Sequence, residues 1–334
     1  MKIAIVKLSA LGDIVHAMIV LQFIKNHSQK VKVDWIVDES FRELLDFHPD
    51  INIVHTLNIK KVKEKKSIYL LIKELRKVRK FGQYDLVIDM QGLVKSALIS
   101  RLIISSATIG FDRSSIRESI AAIFYHKTFK YGYDENVIYR NFELIKFALD
   151  LPFKNKEIHY KLPLLFPSHK HEFSSLSNIK KNIILIPGAS DKSKCYPVDK
   201  FAKVIRSIDE NFLIIWGNEN EKNMANQIKV LSEKAYICEK LSINKLIALI
   251  SQVDLVIGAD TGPTHMAWAL NIPSITLFGS TPSYRNTLST NINKSIESKS
   301  KVNPNKIDKS DYSISEISTD KISLLANELL RKRI

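Results

Sequence analysis

Short apolar segments alternate with helical patterns along the whole chain, which is typical of βαβ units and parallel sheets. The apolar segments of the first half predict five strands, at residues 2–6, 31–37, 51–56, 86–89 and 107–110. Those of the second half predict five more, at residues 183–186, 212–216, 235–238, 255–257 and 274–278. The pattern therefore predicts an α/β protein with two doubly wound domains.

Between these strands, apolar residues recur at helical spacing. They predict helices at residues 14–26, 66–80, 93–103, 198–208, 221–231, 243–251 and 263–270. In the helix predicted over 66–80, Ile68, Leu71, Leu75 and Val78 share one face.

The domain boundaries follow from shifts in composition. Residues 1–165 are predicted as the first domain and residues 183–315 as the second, with a Ser-, Lys- and His-rich linker at 166–182. Residues 285–315 are polar and are expected to form an exposed, partly mobile loop, before a terminal helix in 316–334. Ligands of such sheets bind outside the carboxyl ends of the strands, so two facing domains would enclose a cleft there.

Composition excludes several classes of protein. The chain is 45% hydrophobic and 25% charged, which is ordinary for a globular protein and excludes a disordered or fibrous one. No window has the roughly 20 apolar residues of a membrane span, and no signal peptide is recognisable. The two cysteines, Cys195 and Cys238, suit a reducing compartment. We therefore expect a cytoplasmic protein.

The positive charge of the chain is concentrated in one block. The chain has a net charge of +15, and residues 60–80 contain ten Lys or Arg and two Glu, a local charge of +8. Such a block is typical of a surface that faces phosphorylated lipid, a membrane or nucleic acid. A solvated helix face explains the same pattern, so both interpretations stay open.

In the first domain, Asp13 follows the first predicted strand and begins a helix. A carboxylate at this position points toward the ligand crevice and could act as a general base, or it could cap the helix. No G-x-G-x-x-G segment is present, so the turn is not predicted to bind a dinucleotide.

In the second domain, Asp260, Thr261 and Gly262 form a small-residue turn between a buried strand and a helix. Backbone N–H groups at such a helix start form an anion site, to which Thr261 adds a hydroxyl. Asp260 is better suited to orienting a ligand than to binding phosphate. A well-capped turn without a ligand is the plainer interpretation.

Two further turns are expected to converge on the same crevice. Ser190 and Lys194 offer a hydroxyl and a cation for a diphosphate, and Glu221 can accept two hydrogen bonds from a ribose diol. Together these turns predict an anionic ligand that contains ribose. No P-loop, metal-ligand or nucleophile-elbow motif is present, so no metal and no cofactor are expected.

Three segments carry a resemblance to a known family. They are residues 1–16 (MKIAIVKLSALGDIVH), residues 89–97 (DMQGLVKSA) and residues 258–265 (GADTGPTH). In order and over essentially the whole chain, they resemble glycosyltransferase family 9. The resemblance implies a GT-B fold with two Rossmann-like domains facing across a cleft. It also implies inverting transfer of L-glycero-D-manno-heptose from ADP-heptose to the first Kdo of Kdo2-lipid A, without an essential metal.

The resemblance assigns roles by position. Asp13 would be the general base that takes the proton of the Kdo hydroxyl, and Lys194 would stabilise the leaving diphosphate. Ser190 and the amides of Thr261 and Gly262 would hold that diphosphate. The remaining donor contacts would come from Glu221 to the ribose, Leu241 to the adenine, Asp260 to the heptose hydroxyls and His265 near the phosphates. Ala189 departs from the family, which has a hydroxyl residue beside the one at Ser190.

The acceptor side is assigned in the same way. The implied acceptor is anionic and lies in the inner membrane, and the basic residues expected to meet it are Lys60, Lys61, Lys63, Lys95 and Arg117. Polybasic residues near an anionic leaflet contribute about 1 kcal/mol each, so the block could hold the enzyme at the membrane without insertion. We therefore expect peripheral contact with the cytoplasmic face of the inner membrane.

Three other functions remain as alternatives. A nucleic-acid-binding protein would use the same charge, but the basic block lacks interleaved aromatic residues and no nucleic-acid-binding motif is evident, so none is expected as a partner. A related transferase could use another sugar nucleotide or another acceptor. A catalytically silent nucleotide binder is the third.

Overall fold

The computed structural model describes residues 1–332, which form two compact units divided between Leu164 and Leu165. The first unit contains, in chain order, β1 (Lys2–Val6), α1 (Leu11–Ala17), α2 (Ile19–His27), β2 (Lys32–Asp38), β3 (Ile53–Leu57), α3 (Ile59–Lys65), α4 (Ile68–Val78), β4 (Gln83–Asp89), α5 (Val94–Leu102), β5 (Ile104–Phe111), β6 (Lys127–Phe129) and α6 (Val137–Leu149).

The second unit repeats the plan. It contains β7 (Asn182–Ile186), α7 (Val198–Ser207), β8 (Asn211–Ile214), α8 (Glu219–Leu231), β9 (Ala235–Ile237), α9 (Ile243–Ile250), β10 (Leu255–Ala259), α10 (Gly262–Ala269), β11 (Ser274–Phe278), α11 (Ser283–Asn286), β12 (Asn293–Glu297) and α12 (Thr319–Arg331).

Each unit is built on one six-stranded sheet whose strands are all parallel. The orders are β3-β2-β1-β4-β5-β6 and β12-β11-β10-β7-β8-β9. Numbered within its own unit, each sheet has the order 3-2-1-4-5-6 of a Rossmann fold, which reverses direction at the first strand. The prediction of two doubly wound α/β domains is confirmed.

The central strands are mostly apolar and are buried because helices cover both faces of each sheet. Every residue of β7, β10 and β11 is buried. The core of the second unit includes the large side chains of Tyr196, Phe201 and Phe212. These rigid sheets hold in place the loops at the carboxyl ends of their strands.

Two edge strands were not predicted. β6 has only three residues, and β12 lies within residues 285–315, where the prediction of an exposed loop is wrong for Asn293–Glu297, although residues 298–312 form no helix or strand and are mostly exposed. Only Asn293 and Ile296 of β12 are buried, because an edge strand has a neighbour on one side alone, so its apolar pattern is weak.

The segment predicted as a linker, 166–182, runs into β7 without a helix of its own. Its last residue, Asn182, opens the strand and is tied back to Ser177, whose N–H donates to the Asn182 side-chain oxygen at 2.8 Å.

The helix predicted over 66–80 is shorter than expected. Ser67 caps α4, accepting a hydrogen bond from the backbone N–H of Leu70 at 3.3 Å, and α3 is a separate helix before it. The shared apolar face is only partly covered, since Val78 is 1% exposed and Ile68 is 75% exposed. No helix within residues 1–332 is long and apolar enough to cross a membrane.

Candidate functional site

In the second unit, five loops lie side by side along the carboxyl edge of the sheet. Because the strand order is β11-β10-β7-β8-β9, the connections that contain Thr281, Asp260, Lys194, Glu221 and Leu241 follow one another in that order. Neighbouring strands are about 4.8 Å apart, so the row from β10 to β9 extends roughly 14 Å.

The centre of this row is the carboxylate of Asp260, directly after β10. Nζ of Lys194, on the loop after β7, lies 2.8 Å from its Oδ2 atom. Nε2 of His265 lies 3.0 Å from its Oδ1 atom, and because a carboxylate only accepts, the ring donates from Nε2. Burial alone would raise the pKa of Asp260, but the His265 hydrogen bond and the Lys194 charge outweigh it and hold that pKa well below its ordinary value.

The loop after β11 supplies two further partners of Asp260 that sequence analysis missed. The hydroxyl of Thr281 donates to Oδ2 at 2.9 Å, and the amide of Asn286, at the end of α11, donates to the same atom at 3.0 Å. The one available signal was the polar segment GSTPS that follows the apolar strand β11. Together with Lys194 and His265, these two partners fix the orientation of the Asp260 carboxylate.

The start of α10 forms the neighbouring wall. Thr261 is the residue before the helix, and its backbone oxygen accepts from the N–H of Thr264 at 3.1 Å. The backbone N–H groups of Thr261 and Gly262 have no acceptor within residues 1–332. They lie at the positive end of a helix, directly beside Asp260, as an anion site requires.

Lys194 is positioned by a short 3₁₀ helix, Lys192–Lys194, after β7. Asp191 caps it by accepting from the N–H of Ser193 at 3.4 Å. The buried hydroxyl of Ser193 lies 3.1 Å from that of Ser280 and joins this loop to the one after β11. Ser190 is exposed, and Ala189 beside it is half-buried, so the loop leaves Ser190 accessible to a ligand.

Glu221 lies in the first turn of α8, and its side chain extends back over the loop after β8 and the loop after β7. Its carboxylate accepts from the N–H of Gly217 at 2.7 Å and from the side-chain amide of Asn218 at 2.8 Å. It crosses Gly188 so closely that a Cβ atom there would lie 2.2 Å from its Cγ atom. Leu241, half-buried between β9 and α9, ends the row.

In the first unit, Asp13 lies in the first turn of α1, where β1 ends. Its Oδ2 atom accepts from the N–H of Ala10 at 3.2 Å, which is the helix-capping contact. Its Oδ1 atom has no hydrogen-bond partner within the described part of the chain. Asp13 therefore caps the helix and still offers one carboxylate oxygen to a ligand.

The loop before Asp13 is held by Gln91, which lies in the family-like segment 89–97 but to which sequence analysis gave no role. The side-chain oxygen of Gln91 accepts from the N–H groups of Leu8 at 3.1 Å and Ser9 at 3.2 Å. Gln91 follows β4, the neighbour of β1, so the contact lies where the strand order reverses. The resemblance of segment 89–97 was the one available signal, because a neutral amide after a strand is not distinctive by its chemistry alone.

The buried carboxylate of Asp89 holds the backbone of Gln91 in place. Asp89 accepts from the N–H of Gln91 at 2.8 Å and from the hydroxyls of Ser96 and Tyr125, each at 2.8 Å. Burial outweighs these hydrogen bonds and raises the pKa of Asp89. The loop also requires Gly92, whose φ of +69° strains any other residue.

The cations predicted to meet an acceptor are all exposed, and they lie on both sides of the Asp13 loop. Those on α3, after β3, form one group, and Lys95 and Arg117, after β4 and β5, form the other. In the second group the two loops are joined, because the N–H of Val94 donates to Glu118 at 2.7 Å. The first group consists of Lys60, Lys61 and Lys63.

Comparison with known proteins gives consistent likenesses. The family glycosyltransferase family 9 (heptosyltransferase) matches residues 68–312. Lipopolysaccharide heptosyltransferase 1 of Campylobacter coli is 41% identical over 344 residues, covering 98% of this chain and 99% of the relative. The enzyme of the same name from Pseudomonas aeruginosa is 27% identical, covering 84% of this chain and 79% of that relative.

Solved structures share the fold. The Escherichia coli heptosyltransferase WaaC with ADP superposes with a TM-score of 0.80 at 21% identity, covering 98% of this chain and all of that one. The same enzyme with ADP-2-deoxy-2-fluoro heptose gives a TM-score of 0.77 and covers 98% of this chain and 99% of that one. The family profile matches most of the chain and the Campylobacter relative spans its full length; the chain belongs to glycosyltransferase family 9, the heptosyltransferases.

Proposed function

We propose that this protein transfers L-glycero-D-manno-heptose from ADP-heptose to the first Kdo of Kdo2-lipid A, with inversion, in the assembly of the lipopolysaccharide inner core. The observation that carries the proposal is the Asp260–Lys194 ion pair beside the open N–H groups of Thr261 and Gly262. The relatives named lipopolysaccharide heptosyltransferase 1 support the choice of reaction.

The order of the loops in the second unit matches the order of the parts of a nucleotide sugar: sugar, diphosphate, ribose and base. Asp260 and His265, after β10, would meet the heptose hydroxyls and the adjacent phosphate. Lys194 and Ser190, after β7, with the Thr261 and Gly262 amides, would hold the diphosphate. Glu221, after β8, would accept from the ribose hydroxyls, and Leu241, after β9, would contact the adenine through its backbone. The strand order supports this sequence of contacts.

The reaction needs two things from the protein: a base that takes the proton of the acceptor hydroxyl, and groups that stabilise the departing ADP. The open oxygen of Asp13 accepts the proton of the Kdo hydroxyl as that oxygen forms the new bond to the anomeric carbon. The bond from that carbon to the ADP oxygen breaks, and ADP leaves with the electron pair. Lys194 and the two backbone amides stabilise the charge that develops on the diphosphate. Attack from the face opposite the leaving group inverts the configuration.

The acceptor brings its own negative charge. Kdo2-lipid A has phosphates and sugar carboxylates, and Lys60, Lys61, Lys63, Lys95 and Arg117 would pair with them. The same cations would favour peripheral contact with the cytoplasmic face of the inner membrane, where the acceptor lies.

The test is product formation by the purified protein. Given ADP-heptose and Kdo2-lipid A, it should release ADP and add the mass of one heptose to the acceptor. Omission of either substrate should stop ADP release, and UDP-sugars should neither react nor compete. Transfer from a UDP-sugar, or to an acceptor without Kdo, would overturn the assignment of substrates while leaving the family intact.

A further inference from the structure

One face of the first unit presents large apolar side chains to water. The connections β3–α4–β4, β4–α5–β5 and β5–β6 all cross the sheet in the same direction, so right-handed crossovers place them on one face. There α5 packs against α4 and against a 3₁₀ helix, Ser119–Phe124. The large apolar residues exposed on these three elements are Ile68, Tyr69, Leu71, Ile72, Leu98, Ile120 and Ile123. We call this set the apolar face.

The exposure of α4 is greatest at its start. Ile68 and Tyr69 are 75% and 74% exposed; Ile68 begins the stripe that runs into the core at Val78, and Tyr69 lies on the adjacent side of the helix. Single exposed apolar residues are normal on a protein surface, but a group on adjacent elements marks an interaction site. Ile120 and Ile123, at 56% and 61% exposed, extend the group on the 3₁₀ helix.

Cations outnumber acids on the elements that carry the apolar face, and of the nearby acids Glu74 and Glu118 each accept a backbone hydrogen bond. Of the two acids in residues 60–80, Glu74 is buried and accepts from the N–H of Asn58 at 3.0 Å. The other, Glu64, lies 4.0 Å from Lys60. α5 has two cations, Lys95 and Arg101, and no acid. The charge directed outward is therefore strongly positive.

We propose that the apolar face docks on an anionic phospholipid bilayer and inserts side chains of α4 and the 3₁₀ helix into the boundary between headgroups and acyl chains. This inference rests on the peripheral membrane contact proposed above. It adds insertion of apolar side chains to the electrostatic attraction proposed there. Apolar residues framed by lysines are the pattern of interfacial helices. Protein interfaces are depleted in lysine, and nucleic acid would leave the isoleucines unexplained.

The experiment compares binding of the full chain to vesicles of phosphatidylethanolamine with phosphatidylglycerol and to vesicles of phosphatidylcholine. The wild type should sediment with the anionic vesicles only. I68S/I72S should lower the partition coefficient by about tenfold and keep its salt dependence. K61Q/K65Q should weaken binding and flatten the salt dependence. V230S/L324S, which changes two exposed apolar residues of the second unit, should bind as the wild type does.

A second readout separates membrane docking from catalysis. Transfer to a deacylated, soluble Kdo2-lipid A should be unchanged in I68S/I72S, whereas transfer to acceptor in anionic vesicles should fall. Loss of both activities would assign the face to the acceptor site and overturn the proposal, and a wild type inactive on both acceptors would instead reject the proposed reaction. Unchanged vesicle binding by I68S/I72S would also overturn the proposal. So would a lower sedimentation coefficient of I68S/I72S than of the wild type without vesicles, because it would show that the apolar face joins two copies of the chain.

Discussion

Nζ of Lys194 lies 2.8 Å from Oδ2 of Asp260, and this ion pair joins the loops after β7 and β10. These are the two neighbouring strands between which the order of the second sheet reverses. The equivalent contact of the first sheet joins Gln91, after β4, to the backbone of Leu8 and Ser9, after β1. Each unit thus has its candidate functional residues at the position where open α/β sheets bind ligands.

Replacement of Lys194 by Met tests its role in the donor site. A charge-assisted hydrogen bond contributes about 1.5–3 kcal/mol, so loss of the ammonium should weaken ADP binding by about 10- to 100-fold and slow transfer as well. Calorimetric titration with ADP measures the first effect. Lys192→Met, two residues away and exposed, is the control and should bind ADP normally. Equal affinity in both variants would remove Lys194 from the diphosphate site.

The close approach of Glu221 to Gly188 gives a test of the ribose contact. In Gly188→Ala the new Cβ atom would lie 2.2 Å from Cγ of Glu221 and displace that side chain. ADP affinity should therefore fall about as far as in Glu221→Ala. In Gly217→Ala the nearest atom of Glu221 is 3.3 Å away, so the loss should be smaller. The prediction fails if Gly217→Ala is the more damaging of the two glycine variants.

Gln91 is a positioning residue for the loop that leads to Asp13. Gln91→Ala leaves the N–H groups of Leu8 and Ser9 without their acceptor, so kcat should fall about tenfold or more while the Kd for ADP stays unchanged. Gln91→Glu retains the acceptor oxygen and should restore much of the rate. A purely structural role would instead lower the thermal stability of Gln91→Ala without this selective loss of kcat.

The pattern of apolar segments predicted both sheets because their central strands are buried on two faces. It failed at β6 and β12, where edge position and short length leave few buried residues to form a pattern. The helix predicted over 66–80 shows a different limit. Periodicity revealed that Ile68 and Val78 share a face, but whether the sheet covers that face depends on tertiary packing.

Of the candidate site, sequence reasoning singled out charged residues in the connections that follow strands. Asp260, Lys194 and Glu221 could be singled out because their positions and charges are both informative. Thr281 and Asn286 could not, because each contacts Asp260 across more than twenty residues, and Asn286 also lies in the segment predicted as a loop. Which hydrogen bonds form across such a distance depends on strand order, which a single sequence does not reveal.

The buried carboxylate of Asp34 predicts a pH dependence of stability in the first unit. Burial would raise its pKa, but hydrogen bonds from His55, Asn52, Tyr84 and Lys2 lower it far below the ordinary value. The stabilisation is complete above the unfolded-state pKa of about 3.9 and is lost as the pH falls toward the folded-state pKa.

Asp34→Asn should therefore destabilise the protein by about 2 kcal/mol at pH 7, and the difference from the wild type should narrow below about pH 4. Scanning calorimetry of the variant and the wild type, at pH 7 and again below pH 4, measures this difference in stability. Asp209→Asn, which removes an exposed partner of Lys180, should leave the unfolding temperature unchanged at pH 7. A constant difference between Asp34→Asn and wild type at all pH values would contradict this assignment.

The central claim is that Asp13 takes the proton of the acceptor hydroxyl, and Asp13→Asn tests it most directly. The Asn side chain can still accept from the N–H of Ala10 and cap α1, but it cannot take a proton. The measurement is the single-turnover rate of heptose transfer to Kdo2-lipid A, beside the Kd for ADP. The account predicts a rate lower by about 100-fold or more with an unchanged Kd, in Asp13→Asn as in Asp13→Ala. Near-normal transfer by Asp13→Asn would show that Asp13 is a helix cap and not the base.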